Sequence, residues 1–344
     1  MRILIVKRDK LGDMLLTIPL IQHLKRSLAG CEIHVLASEY SGWVLSGCPE
    51  VTRIWTYPRL RASALLNPAS LLRYLKTHRA VRRERFDVVI AAGGEFSRRA
   101  MDKALAAKGG RTIAYVPDAH SFGDRLSDPL PAPTGGHEVD RMLGLASPLG
   151  LALPRGPAWP EYAPPKRAGE FALAWLTERG LSEHGYVVLG LGARRSARQP
   201  DRAQILRWTA YWRDRYGLQT VFMWTPGGSG NAQYPGDDAI AKAVLDSAEG
   251  RRSDIHPFRG PIMEAVGLIW LARTSVFPDS GLMHFAAASP GGVLGLFAGQ
   301  DLGPAPDQWA PRGRKALWLR ADSQIPDLPD AKFIAAIDRL IERA

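Results

Sequence analysis

The sequence predicts an α/β protein made of two doubly wound, Rossmann-like domains in series. Three observations predict it. Short runs of Val, Ile and Leu alternate with helical segments from the first residues, the rhythm of a parallel sheet covered on both faces. A proline-rich stretch interrupts that rhythm near the middle of the chain. The rhythm then resumes and continues almost to the end. With 344 residues the chain also exceeds what one core ordinarily serves.

In order, "RILIV" (2–6), "IHVLA" (33–37), "VTRIWTY" (51–57), "DVVIAAG" (87–93) and "TIAYV" (112–116) read as strands. Helices are expected at 14–27, 41–47, 68–85 and 97–108. The stretch "LPRGPAWPEYAPPKRAG" (153–169) carries five prolines and can continue neither kind of element, so it reads as a linker. Beyond it, "YVVLGLG" (186–192), "LQTVFMW" (218–224), "TSVFPDSG" (274–281) and "GGVLGLFAG" (291–299) read as the strands of a second domain. The tail, "DAKFIAAIDRLIERA" (330–344), places Phe333, Ile334, Ile337, Leu340 and Ile341 at helical spacing. The expected organisation is an N-terminal domain over 1–155, a linker over 156–168, a C-terminal domain over 169–325 and a final helix over 326–344. Domains of this kind bind ligands beyond the carboxyl ends of their strands, here expected in a central cleft that the two parallel sheets face.

Apolar residues form 46% of the chain and charged residues 23%, the balance of a folded protein rather than a disordered one. The longest apolar run near the end, "AVGLIWLA" (265–272), is too short to cross a bilayer, and the opening residues lack the layout of a signal peptide. Cys31 and Cys48 are expected to be free, packed thiols in a cytoplasmic protein. Forty-five Lys and Arg against 34 Asp and Glu leave a net charge of +11, which calls for acidic partners: a nucleic acid, a phosphorylated small molecule or an anionic membrane surface. No nucleic-acid recognition motif accompanies the charge, so that partner is not expected. Much of the excess lies between Leu71 and Phe86, where Arg73, Lys76, Arg79, Arg82, Arg83 and Arg85 meet one acid, Glu84. Leu71, Leu72, Leu75 and Val81 fall near one face of the same helix, giving it an expected core side and a cationic exterior.

Several short motifs fall short of a known signature. Gly190-Leu191-Gly192 is a fragment of a dinucleotide fingerprint without its third glycine, and "PGGSGN" (226–231) lacks the Lys-Ser/Thr of a P-loop. His137 and Glu138 in "HEVDR" read as structural, and no cluster has metal-ligand spacing. Two loops are more informative. In "KRDKLGDMLLTIP" (7–19) the chain leaves a strand through charge, turns at Gly12 and sets Asp13 at the mouth of a helix, where an acid serves at least as a cap. In "FPDSGLMHFAAA" (277–288), Pro278 breaks a strand and Asp279, Ser280 and Gly281 open a helix, with His284 one turn beyond Ser280. The cationic "GARRSARQP" (192–200), after another strand of that domain, points to a polyanion such as a pyrophosphate at these helix amides.

These blocks, with "ILIVKRDKLGDMLLTIPLIQHLK", "FDVVIA" and "QWAP" (308–311), resemble glycosyltransferase family nine, the bacterial ADP-heptose:lipopolysaccharide heptosyltransferases. The resemblance runs in order from about residue 2 to 320. It rests most on Gly12, Asp13, Thr17 and Pro19 in one half and on Asp279, Ser280, Gly281 and His284 in the other. It implies an inverting, metal-independent GT-B enzyme without a cofactor. The N-terminal domain of such an enzyme receives the acceptor, the C-terminal domain holds a nucleotide sugar such as ADP-heptose, and the last helix crosses back to the first domain. By resemblance Asp13 is the general base. Lys10, Gly12, Thr17 and Arg98 would face the acceptor, by default the acidic lipopolysaccharide inner core at the inner membrane's cytoplasmic face. Gly192, Ala193, Arg194, Arg195, Arg198, Pro226, Gly227, Asp279, Ser280, Gly281 and His284 would hold the donor. Two departures stand out. Ala197-Arg198-Gln199-Pro200 occupies a block that in the family often reads Lys-x-Trp-Pro, and "TPGGSGN" offers no acid for the nucleoside ribose. They admit a different donor, or a catalytically silent protein that keeps the fold and a sugar-nucleotide pocket.

Overall fold

A computed structural model of the chain describes residues 1–8, 10–59, 67–193, 195–228, 230, 236–248, 251 and 255–342. It divides into two compact units, Met1–Ala163 and Pro164–Ala344. The division falls inside the expected linker.

The first unit holds six parallel strands: β1 (Arg2–Val6), β2 (Glu32–Ser38), β3 (Arg53–Tyr57), β4 (Val88–Ala91), β5 (Arg111–Val116) and β6 (Asp128–Pro131), in the spatial order β3-β2-β1-β4-β5-β6. Register is set by apolar residues paired straight across: Ile3 faces Ile33 and Val88, and Ile5 faces Val35 and Ile90. Because side chains alternate along a strand, Leu4 and Val6 point to one face, where Met101 and Ala104 pack, and Ile3 and Ile5 point to the other. The strands are buried on both sides, so they read as continuous apolar runs.

The expected helix at 14–27 is two helices, α1 (Leu11–Leu15) and α2 (Ile18–Ser27). Pro19 has no N–H to offer the Leu15 carbonyl, so the ladder stops there. The expected helix at 41–47 is a 3₁₀ turn over Gly42–Gly47. Helices α3 (Pro68–Arg83) and α4 (Arg98–Ala107) lie as expected and are capped by Asn67 and Ser97, whose side chains accept from free amides of their first turns. The packed side of α3 differs from expectation. Val81 is buried and Tyr74 stacks on His78, while Leu72 and Leu75 point outward. A fifth helix, α5 (Glu138–Gly144), lies against α2. Residues of the proline-rich stretch dock on the first unit, where Gln22 Nε2 donates to the Glu161 carbonyl at 2.8 Å. Both cysteines are buried and free, and burial with the neighbouring Glu50 pushes the Cys48 thiol up to about 12.

The second unit repeats the plan. After α6 (Lys166–Glu178) come β7 (Tyr186–Gly190), α7 (Arg202–Tyr216), β8 (Gln219–Met223), α8 (Asp238–Leu245), β9 (Ile255–Phe258), α9 (Ile262–Trp270), β10 (Thr274–Pro278), α10 (Gly281–Ala288), β11 (Val293–Phe297), α11 (Pro306–Trp309), β12 (Ala316–Arg320) and α12 (Asp330–Glu342). The sheet order is β12-β11-β10-β7-β8-β9. Numbered within each unit, both sheets have the order 3-2-1-4-5-6 of a Rossmann fold. Among the described residues no helix is long and apolar enough to cross a membrane.

The sequence reading sends the last helix back to the first domain. Its apolar face, Phe333, Ala336, Ile337, Leu340 and Ile341, packs in the core of the second unit. Phe333 stacks flat on Trp208 with ring centres 3.8 Å apart, and Asp330 accepts from Trp208 Nε1 at 2.9 Å and Arg207 Nε at 2.6 Å. Removing the Phe333 ring leaves a cavity against Trp208. Phe333→Ala is expected to lower the unfolding free energy of this unit by about 3–5 kcal/mol, read from denaturant titration. Partial burial of Asp330 raises its pKa, but its hydrogen bonds with Arg207 and Trp208 and the Arg207 charge outweigh that effect and hold it below the ordinary value. A depressed carboxylate stabilises the fold above its unfolded pKa, roughly 4, and loses that contribution as pH falls through the lower native value. The stability gap between the natural chain and Asp330→Asn should therefore be full near neutrality and close below about pH 4.

Candidate active site

In each sheet the strand order reverses beside the first strand, between β1 and β4 and between β7 and β10. The loops at the carboxyl ends of those strands part there and leave the crevice where doubly wound domains hold ligands. Nearly every candidate site residue sits on one of these four loops.

In the first unit the β1 loop runs into α1. Four of the five α1 residues, Leu11, Gly12, Met14 and Leu15, are buried, and only Asp13 is partly exposed. The helix thus keeps four of its residues in the core and leaves Asp13 partly exposed. Thr17 is fully buried, and its hydroxyl donates to the Asp13 carbonyl at 2.8 Å across the break between α1 and α2. Thr17, expected to face an acceptor, holds the turn that carries Asp13. Gly12 is buried with α1, whereas Lys10 at the helix entrance is exposed. Arg98, at the start of α4 beyond the β4 loop, is exposed and paired with Asp102 at 3.0 Å.

Two further residues shape this loop: Lys7, which sequence reasoning did not single out, and Glu138, which it read as structural. Lys7 follows β1 directly and is only 2% exposed, with its ammonium 4.0 Å from Met142 Sδ. Glu138 is also buried, and it accepts from the Gly94 amide at 2.9 Å, tying α5 to the β4 loop. A charged residue immediately after a strand was the available signal for Lys7. The partner of Glu138 had none, because 44 residues separate it from Gly94.

In the second unit the β7 loop carries Gly192, Ala193, Arg195 and Arg198, and the β10 loop carries Asp279, Ser280, Gly281 and His284. Arg194 lies outside the described residues. Arg198 and Asp279 form a short ion pair across the crevice, with side chains 17% and 13% exposed. Gly192 and Ser280 close the same contact. A Cβ on Gly192 would lie 3.2 Å from both Ser280 Cβ and Oγ, tighter than ordinary packing allows. Arg195 and Gly281 are exposed, and His284 is buried with its ring 6.4 Å from Trp309.

The replaced Lys-x-Trp-Pro block has its own role. Gln199 is buried and donates from Nε2 to the Ala193 carbonyl at 2.6 Å and to Asp237 Oδ1 at 2.8 Å. Two acids from farther along the chain reach the loop after β8. Asp237 accepts from the Thr225 amide at 3.2 Å, and Asp238 accepts from Gly227 N at 3.0 Å and Trp224 Nε1 at 2.8 Å. Pro226 and Gly227, expected at the donor, lie in this loop beyond β8. Burial raises the Asp237 pKa against the hydrogen bonds from Gln199 and Thr225, whereas those from Trp224 and Gly227 hold Asp238 low. Among the described residues no group of three or more His, Cys, Asp or Glu is placed to hold a metal ion.

Two Rossmann units, each with charged loops gathered at its switch point, are the architecture of a GT-B glycosyltransferase. The family model for glycosyltransferase family 9 (heptosyltransferase) matches residues 74–331, and the chain belongs to that family. Among solved structures it is similar to ADP-heptose lps heptosyltransferase II of E. coli, at 19% identity and a TM-score of 0.73 over 100% of this chain and 99% of that one. It is similar to E. coli heptosyltransferase WaaC with ADP, at 17% identity and a TM-score of 0.75 over 99% of this chain and 100% of that one. A family 9 glycosyl transferase from Veillonella parvula gives 15% identity and a TM-score of 0.79 over 100% of this chain and 97% of that one. No curated protein matches the sequence.

A Cβ on Gly94 would fall 2.2 Å from Glu138 Oε2, whereas one on Gly93 would meet nothing nearer than 3.3 Å. Gly94→Ala should displace the buried carboxylate and lower the unfolding free energy of the first unit by about 1–3 kcal/mol, and Gly93→Ala by clearly less.

Proposed function

We propose that the chain is an inverting, metal-independent glycosyltransferase. It moves heptose or a related sugar from ADP-heptose or a similar nucleotide sugar to a hydroxyl of an acidic saccharide, by default the lipopolysaccharide inner core. The observation that carries this reading is Asp13, the one residue of α1 that leaves the core, at the switch point of a family 9 chain. On this reading the first unit receives the acceptor, with Lys10 and Arg98 near its acidic groups, and the second binds the donor. Asp13 takes the proton of the acceptor hydroxyl, and the oxygen attacks the anomeric carbon. The bond from that carbon to the diphosphate breaks with inversion, and the nucleoside diphosphate leaves.

The departing diphosphate needs positive groups already in place. Arg195 and Arg198 on the β7 loop and the free amides at the start of α10 suit that need. Asp279, Ser280, Gly281 and His284 are assigned to the sugar and diphosphate. That E. coli WaaC was solved with ADP and with ADP-2-deoxy-2-fluoro heptose supports a nucleotide-sugar donor. An acidic core acceptor suits the net charge of +11 and places the enzyme in the cytoplasm, at the inner face of the inner membrane.

Asp13→Ala is expected to lower transfer from ADP-heptose by about 10²–10⁴-fold, measured as ADP release, with donor binding and melting temperature retained. Wild-type turnover in that variant would falsify the assignment of the base. EDTA is expected to leave the rate unchanged, and inhibition reversed by Mg²⁺ would overturn the metal-free step.

A further inference from the structure

We propose that the outward face of α3 docks the protein on an anionic lipid bilayer through an apolar and cationic stripe. The stripe is Leu72, Leu75, Lys76, Arg79, Arg82 and Arg83. At 100° per residue these six positions fall within an arc of about 120°. The opposite side of α3 is fixed to the first unit. Val81 is buried, the Thr77 hydroxyl donates to the Thr56 carbonyl at 2.9 Å, and Lys103 Nζ donates to Tyr74 Oη at 2.7 Å. The stripe is therefore held facing solvent by a rigid support.

Its composition selects the partner. Leu72 is 50% exposed and Leu75 40%, although the sequence pattern assigns both to the core. Among the described residues none of Lys76, Arg79, Arg82 and Arg83 forms an ion pair, while the flanking acids are neutralised. Glu39 pairs with Arg73 at 3.1 Å, and Glu84 with Arg2 and Arg53. The Glu39–Arg73 pair brings Tyr40, 44% exposed under the Arg59 guanidinium, to the flank of the helix. A nucleic acid or free polysaccharide would satisfy the cations and leave the two leucines in water. A bilayer with anionic headgroups satisfies both: leucines enter the acyl boundary, cations meet phosphates, and a tyrosine suits the interface.

This names the surface through which the enzyme proposed above would reach its membrane, yet its test uses neither donor nor acceptor, so either idea can fail alone. The full chain is sedimented with vesicles of phosphatidylethanolamine containing one-third phosphatidylglycerol, and with pure phosphatidylcholine vesicles. Binding is expected only to the anionic vesicles, weakening as salt is raised. Arg79→Gln with Arg82→Gln should lower partitioning about 30-fold, each surface charge being worth roughly fivefold. Leu72→Ser with Leu75→Ser should lower it about tenfold, since both side chains enter the bilayer. Both variants change exposed residues and should melt with the natural chain. Failure of the natural chain to sediment, or undiminished binding by either double variant, overturns the proposal. So does a leucine variant that binds normally while the arginine variant loses vesicles and duplex DNA alike, which would mark a polyanion site.

Discussion

Where the strand order of a parallel sheet reverses, the crossover helices on the two sides go to opposite faces and their loops diverge. Both units of this protein contain that reversal beside their first strand. Parallel connections are right-handed almost without exception, so the position of each crevice follows from chain order once six strands pair. The chemistry is then decided by which residues those diverging loops carry. In both units they carry charge: Lys7, Lys10 and Asp13 in the first, Arg195, Arg198 and Asp279 in the second.

The two crevices are braced differently. In the first, a buried carboxylate, Glu138, grips a backbone amide, and a buried threonine grips the carbonyl of Asp13. Neither brace uses a group that the proposed reaction needs. In the second, the brace is an ion pair between Arg198 and Asp279, both assigned to the donor. Removing such a pair from water costs several kcal/mol per ion, which mutual attraction largely offsets. A diphosphate would therefore exchange one anionic partner of Arg198 for another instead of filling an empty positive site. Arginine suits that exchange, because its planar fork offers five donors in fixed directions and can serve two anions together.

Much of this was legible in the sequence. The central strands of both sheets, β1, β2, β4, β5, β7, β8, β10 and β11, announce themselves as apolar runs because they are buried on both faces. The strands that escaped notice are β6, β9 and β12, and all three are sheet edges. Two of them contain proline, as "DPLP" and "IHPF", which an edge tolerates because one side of the strand makes no ladder. Helix α3 failed in the opposite way. Its leucines mark a face by periodicity, but a core can accept either side of a helix, and here rings chose it: Tyr74 and His78 pack with Tyr57 while Leu72 and Leu75 remain outside.

The site was legible in its residue types and illegible in its partnerships. Asp13 lies in the short helix after β1, and Asp279 and Ser280 directly follow β10, each in a block that the sequence pattern singles out. The Asp237 and Asp238 contacts join residues ten or more positions apart across stretches of no regular pattern. From sequence the β8 loop therefore read as lacking an acid, whereas two downstream aspartates contact it. The same network explains the glutamine in the altered block. Gln199 Nε2 gives both its protons, one to the Ala193 carbonyl and one to the Asp237 carboxylate, joining the β7 loop to the β8 loop. A tryptophan at that position would offer one N–H and a larger ring, and could not satisfy both acceptors. Gln199 and the downstream Asp237 thus form a single buried contact that holds the two loops together.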